Sequence, residues 1–416
     1  MEIKRDTYLN KLIRREHNGL IKIVTGIRRC GKSYLLFNLF HQYLLGKGVK
    51  EDHIIEVAFD NIKFSELRES KAMFEYAEKQ ITDKDPYYII LDEVQLLHDF
   101  VDVLNGFLYI KNADVYVTGS NSRFLSSDVV TDFRGRGDEI HMLPLSFSEF
   151  SSAYGSNISD AWDDYFNYGG LPLVLSKQLP EEKEEYLLSL FKELYLTVII
   201  ERHNIRNVEE FNELIDILAS SVGSLTNPLK LSKTFKSVKN KTIRDATITK
   251  YIEYLQDAFI VDKAVRFDIK GKKYIGSPAK YYFEDIGLRN ARLNFRQTEE
   301  NHIMENIIYN ELRYRGFRVD VGVVEVYGRN STTHKTTKTS YEVDFIATKG
   351  NLKYYIQSAF AMSIPEKQEQ EQRFLRSIPD SFTKIIVVRD DKKPRHDENG
   401  FVIVGVKQFL LDQVLL

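Results

Sequence analysis

The chain contains a single cysteine, Cys30, so no disulfide within it can support the fold. Stability must come from a packed core, which fits a reducing compartment. No apolar run approaches the ~20 residues that a membrane-spanning helix needs. The opening residues, Met-Glu-Ile-Lys-Arg-Asp, are charged where a secretion signal would be apolar. The chain therefore reads as cytoplasmic. Its net charge is only -2, so no global field draws it toward nucleic acid or membrane, and a charged partner must be met by a local patch. Strong repeats and low-complexity tracts are also missing.

What remains is a globular composition. Hydrophobic residues make up 43% of 416, enough for packed cores, and the length suits two or three domains of roughly 150 residues each. Residues 1–150 alternate short β-branched runs with helical patterns, as an α/β sheet does. Candidate strands are Leu20–Thr25, His53–Phe59, Tyr87–Leu91, Asp114–Thr118 and Glu139–Leu143. From 151 to 206 the pattern is mainly helical, broken at Tyr168-Gly169-Gly170-Leu171-Pro172, which predicts a tight turn between helices. Residues 207–258 read as three short helices, with strands at Phe259–Asp268 and Lys273–Glu284. After Arg296 come a helix and further strands, a third unit of α/β type. The Thr-, Ser- and Lys-rich stretch Arg329–Ser340 predicts an exposed hairpin loop between two of those strands.

The most specific pattern is Gly26-Ile27-Arg28-Arg29-Cys30-Gly31-Lys32-Ser33, which has the full spacing of a phosphate-binding P-loop. A strand precedes it and a helix follows, as the chemistry requires. Glycines let the backbone wrap phosphates, amide groups point inward, and the helix N-terminus favours an anion. Lys32 can then neutralise β- and γ-phosphate oxygens, and the Ser33 hydroxyl can ligate Mg²⁺. Tyr87–Leu91 leads into Asp92 and Glu93, two carboxylates at the C-terminal tip of a buried strand, where ligands bind in parallel sheets. Asp92 suits the metal. Glu93 points differently and suits the orientation and deprotonation of an attacking water. A further strand ends in Thr118-Gly119-Ser120-Asn121, where Ser120 or Asn121 could sense the γ-phosphate, and Phe133-Arg134-Gly135-Arg136 offers two arginines. One of these, Arg136 for preference, could stabilise transition-state charge, in its own chain or in a neighbouring subunit.

Taken together, Gly-Ile-Arg-Arg-Cys-Gly-Lys-Ser, Leu-Asp-Glu-Val-Gln, Thr-Gly-Ser-Asn-Ser, Phe-Arg-Gly-Arg, Leu-Pro-Leu-Ser-Phe-Ser-Glu-Phe and Tyr-Gly-Gly-Leu-Pro closely resemble a family of prokaryotic AAA+ ATPases. The six motifs fall in the family's order over essentially the whole chain. The resemblance implies an AAA+ parallel-sheet core at 1–150, a helical connector at 151–206, a winged helix-turn-helix at 207–290, and a restriction-endonuclease-like α/β domain at 291–416. It also implies that Lys32, Ser33, Asp92 and Glu93 serve ATP and Mg²⁺, and it aligns Arg136 with the family's Gly-Arg position.

Two downstream features bear on partners. Lys230, Lys233, Lys236, Lys239, Lys241, Arg244 and Lys250 face one acid, Asp245, in a stretch of 21 residues. Such a basic surface would hold a phosphate backbone with salt-dependent affinity, with the helix Ile243–Asp257 as the groove reader and the strands after it as the wing. In the last domain, Glu305, Glu342-Val343-Asp344 and Gln357-Ser358-Ala359 sit where metal-dependent nucleases carry two acids and a Glu-x-Lys. Gln357 replaces the second acid and Ala359 the lysine, so nuclease activity is not expected. The expectation is therefore ATP hydrolysis coupled to DNA binding, with homo-oligomerisation if an arginine acts between subunits. The alternative is a nucleotide-gated protein-interaction switch with slow turnover and no role on DNA.

Overall fold

A computed structural model of the chain describes residues 3–119, 135–155, 157–239, 242–296, 299–329, 336–360, 372 and 374–412. It divides into two compact units, Met1–Pro144 with Asp257–Phe259, and Leu145–Gln256 with Ile260–Leu416. Among the described residues no helix is long and apolar enough to cross a membrane.

The first unit is built on five strands, β1 (Ile21–Thr25), β2 (Ile54–Ala58), β3 (Tyr87–Asp92), β4 (Ala113–Thr118) and β5 (Gly137–His141). All pair in parallel, in the order β2-β3-β4-β1-β5. The near-continuous apolar runs of β1, β3 and β4 follow from this, because a central parallel strand is covered on both faces. Ile23, Val57, Ile89, Leu91, Val115 and Val117 share one core with Met73, Leu104 and Phe107 from the helices. Lys22 lies fully buried within β1, which an unpaired ammonium could not do. Its partner is Asp114 on β4, and the Tyr116 hydroxyl donates to the same carboxylate at 2.7 Å. The pair ties β4 to β1, so that β4 stands between β1 and β3.

The second unit begins with helices. Phe147–Tyr154 starts with a capping box, in which the Glu149 amide donates to the Ser146 hydroxyl at 3.2 Å and the Ser146 amide donates to the Glu149 carboxylate at 3.1 Å. That accounts for the Ser-Phe-Ser-Glu-Phe motif. Val208–Ser220, Pro228–Lys239 and Asp245–Asp257 are the three expected short helices. An eight-stranded mixed sheet follows, made of β6 (Val261–Asp268), β7 (Lys273–Phe283), β8 (Arg318–Arg329), β9 (Thr336–Lys349), β10 (Leu352–Ala359), β11 (Thr383–Val388), β12 (Arg395–His396) and β13 (Val402–Gly405). Its order is β12-β13-β11-β10-β9-β8-β6-β7.

Two details depart from the sequence expectation. The β6–β7 hairpin shares a sheet with the C-terminal strands, through parallel pairing of Arg266–Asp268 with Val321–Val323. Residues on either side of position 290 are thus parts of one sheet. Of the stretch expected as a hairpin loop, Arg329 ends β8 and Thr336–Ser340 belong to β9, with Arg329 and Thr336 paired, while 330–335 lie outside the described residues. Its threonines suit an extended backbone, which outweighs their polarity.

The Tyr-Gly-Gly-Leu-Pro motif is a packing joint as well as a turn. Asp285 caps the helix Ile286–Arg292 through the Leu288 amide at 3.0 Å and also accepts the Gly170 amide at 2.8 Å. A Cβ on Gly287 would stand 2.0 Å from the Tyr168 carbonyl oxygen, so the helix and the turn touch backbone to backbone. Gly287→Ala is expected to cost about 1–3 kcal/mol and lower Tm. Gly276→Ala, where a Cβ meets nothing within 4 Å, should leave Tm unchanged in the same thermal melts.

Candidate functional site

The site lies at the C-terminal tips of β1, β3 and β4. β1 ends at Thr25, and the chain turns at once through Gly26, whose φ of 137° and whose closeness to the Met142 carbonyl leave no room for a side chain. A Cβ there would lie 2.1 Å from that oxygen. Arg29 and Gly31 also take positive φ, 65° and 101°, and the helix opens at Lys32. Ile27 and Cys30 bury their side chains in the core, so what these two positions offer outward is main chain. Arg28 is half-buried and Arg29 exposed. Lys32 Nζ donates to the carbonyls of Gly26 (2.9 Å) and Ile27 (3.1 Å), folded over its own loop.

Ser33, one residue into the helix, lies on the loop side of Asp92, near enough for its hydroxyl to favour the ionised carboxylate. A second hydroxyl reaches the same carboxylate. Thr118, at the tip of β4 and fully buried, donates to Asp92 Oδ1 and accepts the Glu93 amide at 3.1 Å. Asp92 is 5% exposed, and burial pushes its pKa above the ordinary value. The two hydroxyls act against that shift, and the nearby charges of Glu93 and Asp60 add to it. Glu93 follows with φ 51° and ψ 46°, a left-handed conformation that costs a glutamate about 1–2 kcal/mol and turns its side chain away from the line of β3. Its carboxylate accepts a hydrogen bond from the Gln95 side chain.

The structure therefore gathers Gly26, Gly31, Lys32, Ser33, Asp92 and Glu93 at one end of the sheet. Arg136 is not among them. It precedes β5, and its carbonyl accepts the amide of Ile21, the first residue of β1, at 2.8 Å. That places it at the opposite end of β1 from the loop, a separation of roughly 16 Å for five residues. Its guanidinium donates to Asn105 at 3.1 Å. Ser120, Asn121 and Arg134 lie outside the described residues. Thr118 and Gln95 were not singled out from sequence. The only sequence signal for them was their place beside motifs, Thr118 heading Thr-Gly-Ser-Asn and Gln95 closing Leu-Asp-Glu-Val-Gln.

The residues fit a nucleotide with a divalent cation. Asp92 is an acid whose ionised form is disfavoured by burial and by like charges, so a cation beside it would relieve both. Lys32 is held by neutral carbonyls that an anion would outcompete.

A parallel sheet with β4 interposed between the loop strand and the acid strand, with this loop and this acid pair, defines a P-loop domain of the AAA type. Residues 18–151 match the AAA domain family, and residues 159–299 match a domain of unknown function, DUF8612. The chain is 32% identical over 391 residues to an uncharacterized protein of Haemophilus influenzae, spanning 92% of this chain and 93% of the relative, and it belongs to that protein's family. An uncharacterized protein of Methanocaldococcus jannaschii is 28% identical over 377 residues, covering 86% of this chain and 79% of its own. Among solved structures, the Aeropyrum pernix ORC1 protein in complex with DNA matches at 12% identity and a TM-score of 0.28, over 70% of this chain and 92% of that one. A superposition of that quality adds nothing to the fold read from the strand order.

Because the folded pKa of Asp92 is raised, the nucleotide-free protein loses stability as pH rises from the ordinary value of 3.8 through the folded one. Asp92→Asn removes that loss. The variant is expected to melt above wild type in nucleotide- and metal-free buffer, by a margin that widens between pH 4 and pH 7. A margin equal at both pH values would contradict the burial argument.

Proposed function

We propose that this chain is an ATPase that uses Mg²⁺. The observation that carries the reading is the P-loop after β1, with Lys32 folded over its carbonyls and Ser33 near Asp92, the acid that Thr118 holds at the tip of β3. In this reading the loop amides from Ile27 to Ser33 bind phosphate oxygens, Lys32 exchanges its two carbonyl partners for β- and γ-phosphate oxygens, and Ser33 and Asp92 hold the metal. ATP with Mg²⁺ supplies a phosphoanhydride whose terminal oxygens are already partly neutralised. Glu93, oriented by Gln95, takes a proton from the attacking water. Thr118 keeps Asp92 and the Glu93 backbone in register, and Asn121 is assigned the γ-phosphate contact from sequence alone.

Arg136 belongs to this reading only between copies of the chain. Its position at the far end of β1 suits an arginine that completes a neighbour's site, and this carries the proposal of a homo-oligomer. Arg136→Ala should lower turnover by about 10³–10⁵-fold. Lys32→Ala should be inactive for want of nucleotide. Mixing the two is expected to restore part of the activity, and mixtures that stay inactive would remove Arg136 from the mechanism.

The coupling partner in this reading is DNA. Lys230, Lys233, Lys236, Arg244 and Lys250 are all exposed, while Leu231, Phe235, Ile243 and Ile248 of the same segment are buried. The Lys239 side chain and Lys241 lie outside the described residues. The helices Pro228–Lys239 and Asp245–Asp257 and the β6–β7 hairpin give a helix, helix and paired-strand sequence, with Thr226 bridged to Ala279 of β7. This supports a winged helix that lays cations on a phosphate backbone. Glu93→Gln should keep ATP affinity and lose turnover on the order of 10²–10⁴-fold. In the otherwise wild-type chain duplex DNA should change the ATPase rate. Lys233→Glu with Lys236→Glu should abolish that response and flatten the salt dependence of DNA binding by about one per lysine. A rate indifferent to DNA, with nucleotide-dependent retention of a protein partner, would favour the interaction switch instead.

A further inference from the structure

The second unit carries its own cluster of carboxylates. Glu305 projects from the helix Glu300–Tyr314, and Glu342 and Asp344 from β9. A lysine from elsewhere stands among them. Lys280 Nζ lies 2.8 Å from Glu305 Oε1, 2.7 Å from Glu342 Oε1 and 3.2 Å from Asp344 Oδ1, and Lys280 is 2% exposed. It comes from β7, which is three places away from β9 in the strand order. A flat sheet would hold those strands roughly 14 Å apart. The register of β6 against β7 shifts between Ala264 and Arg266, and a bulge of this kind bends a strand and tightens its twist. The inner half of the hairpin is thereby brought over the acids.

Two further donors are directed at the carboxylates. The Tyr282 hydroxyl, two residues along β7 and on the same face, donates to Glu305 Oε1 at 2.6 Å. The Ser358 amide donates to Asp344 Oδ2 at 2.9 Å. Gln357 turns its carbonyl oxygen to the Asp344 amide at 3.3 Å, and Ala359 offers no polar atom. Gly223 leaves the space that Glu305 occupies, since a Cβ there would lie 3.0 Å from Oε1. A divalent ion held by Glu305 and Asp344, as the resemblance to metal-dependent nucleases implies, would have to displace an ammonium bonded to both. These residues do not fit a resident metal.

We propose that Lys280 is the permanent cation of this centre, and that its ammonium takes the place of a divalent ion and fastens β7 to β9 and to the helix Glu300–Tyr314. The cluster is then a structural anchor derived from acids that a nuclease would use for metal. Three carboxylates against one ammonium leave negative charge in excess. Burial and the Asp344 charge push the Glu305 carboxyl up to about 7, against the pull of Lys280.

The test uses the full chain without nucleotide and measures Mn²⁺ bound per chain by the loss of the free-ion electron paramagnetic resonance signal. Wild type and Asp344→Asn are expected to bind the same amount. Lys280→Ala should melt below wild type and gain a single Mn²⁺, which the double variant Lys280→Ala, Asp344→Asn loses again. Mn²⁺ bound by wild type and removed by Asp344→Asn would overturn the proposal, as would a folded Lys280→Ala that gains none. If Lys280→Ala does not fold, the comparison of wild type with Asp344→Asn still decides.

Discussion

The Asp92 carboxylate is approached by two hydroxyls from two directions, Ser33 from the loop after β1 and Thr118 from the tip of β4. The site depends on this double contact, and the contact depends on strand order. Were β3 adjacent to β1, no third strand would stand between the loop and the acid. With β4 interposed, a single threonine hydroxyl can accept the Glu93 amide and donate to Asp92, fixing the acid pair while the P-loop serine meets it from the other side. The buried Lys22–Asp114 pair secures the same arrangement at the opposite end, since it locks β4 against β1. A buried ion pair contributes little net stability against apolar residues, but leaving one partner alone costs several kcal/mol, about 3–5. Such a pair rejects other strand arrangements more than it stabilises this one.

The two units treat buried acids in opposite ways. Asp92 is buried among hydroxyls and like charges, which keeps its ionised form unfavourable and responsive to an arriving cation. Glu305 and Asp344 are buried, with the half-buried Glu342 beside them, around a lysine of their own chain, which supplies the cation in advance. One centre is poised for exchange and the other is closed by a covalently attached charge. The difference comes from where the nearest ammonium is rooted, since Lys32 bonds only to carbonyls of its own loop.

Much of the fold was legible because its signals are local. The strand positions in the first unit follow from short apolar runs, and the loop from its spacing. The ends of β1 and β3 name Ser33 and Asp92 without any knowledge of the sheet. What was not legible depends on order in space. Thr118 reads as an ordinary strand end until β4 is known to lie beside β3. Arg136 follows the Thr-Gly-Ser-Asn motif by 15 residues, yet it lies at the other end of β1. Lys280 sits in a strand that gives no hint of acids 25 and 64 residues away, because their meeting depends on a three-residue register shift between β6 and β7. Gly287 looks like any helical glycine until the Tyr168 carbonyl is found against it.

The β6–β7 hairpin has one end in each of two settings. Its outer part, around Lys270–Tyr274, is exposed, and its inner part carries Lys280 and Tyr282 into the acid cluster. Arg266–Asp268, next to that tip, pair with β8, so a load placed on the tip is shared between the ladder of the sheet and the three ion pairs of Lys280.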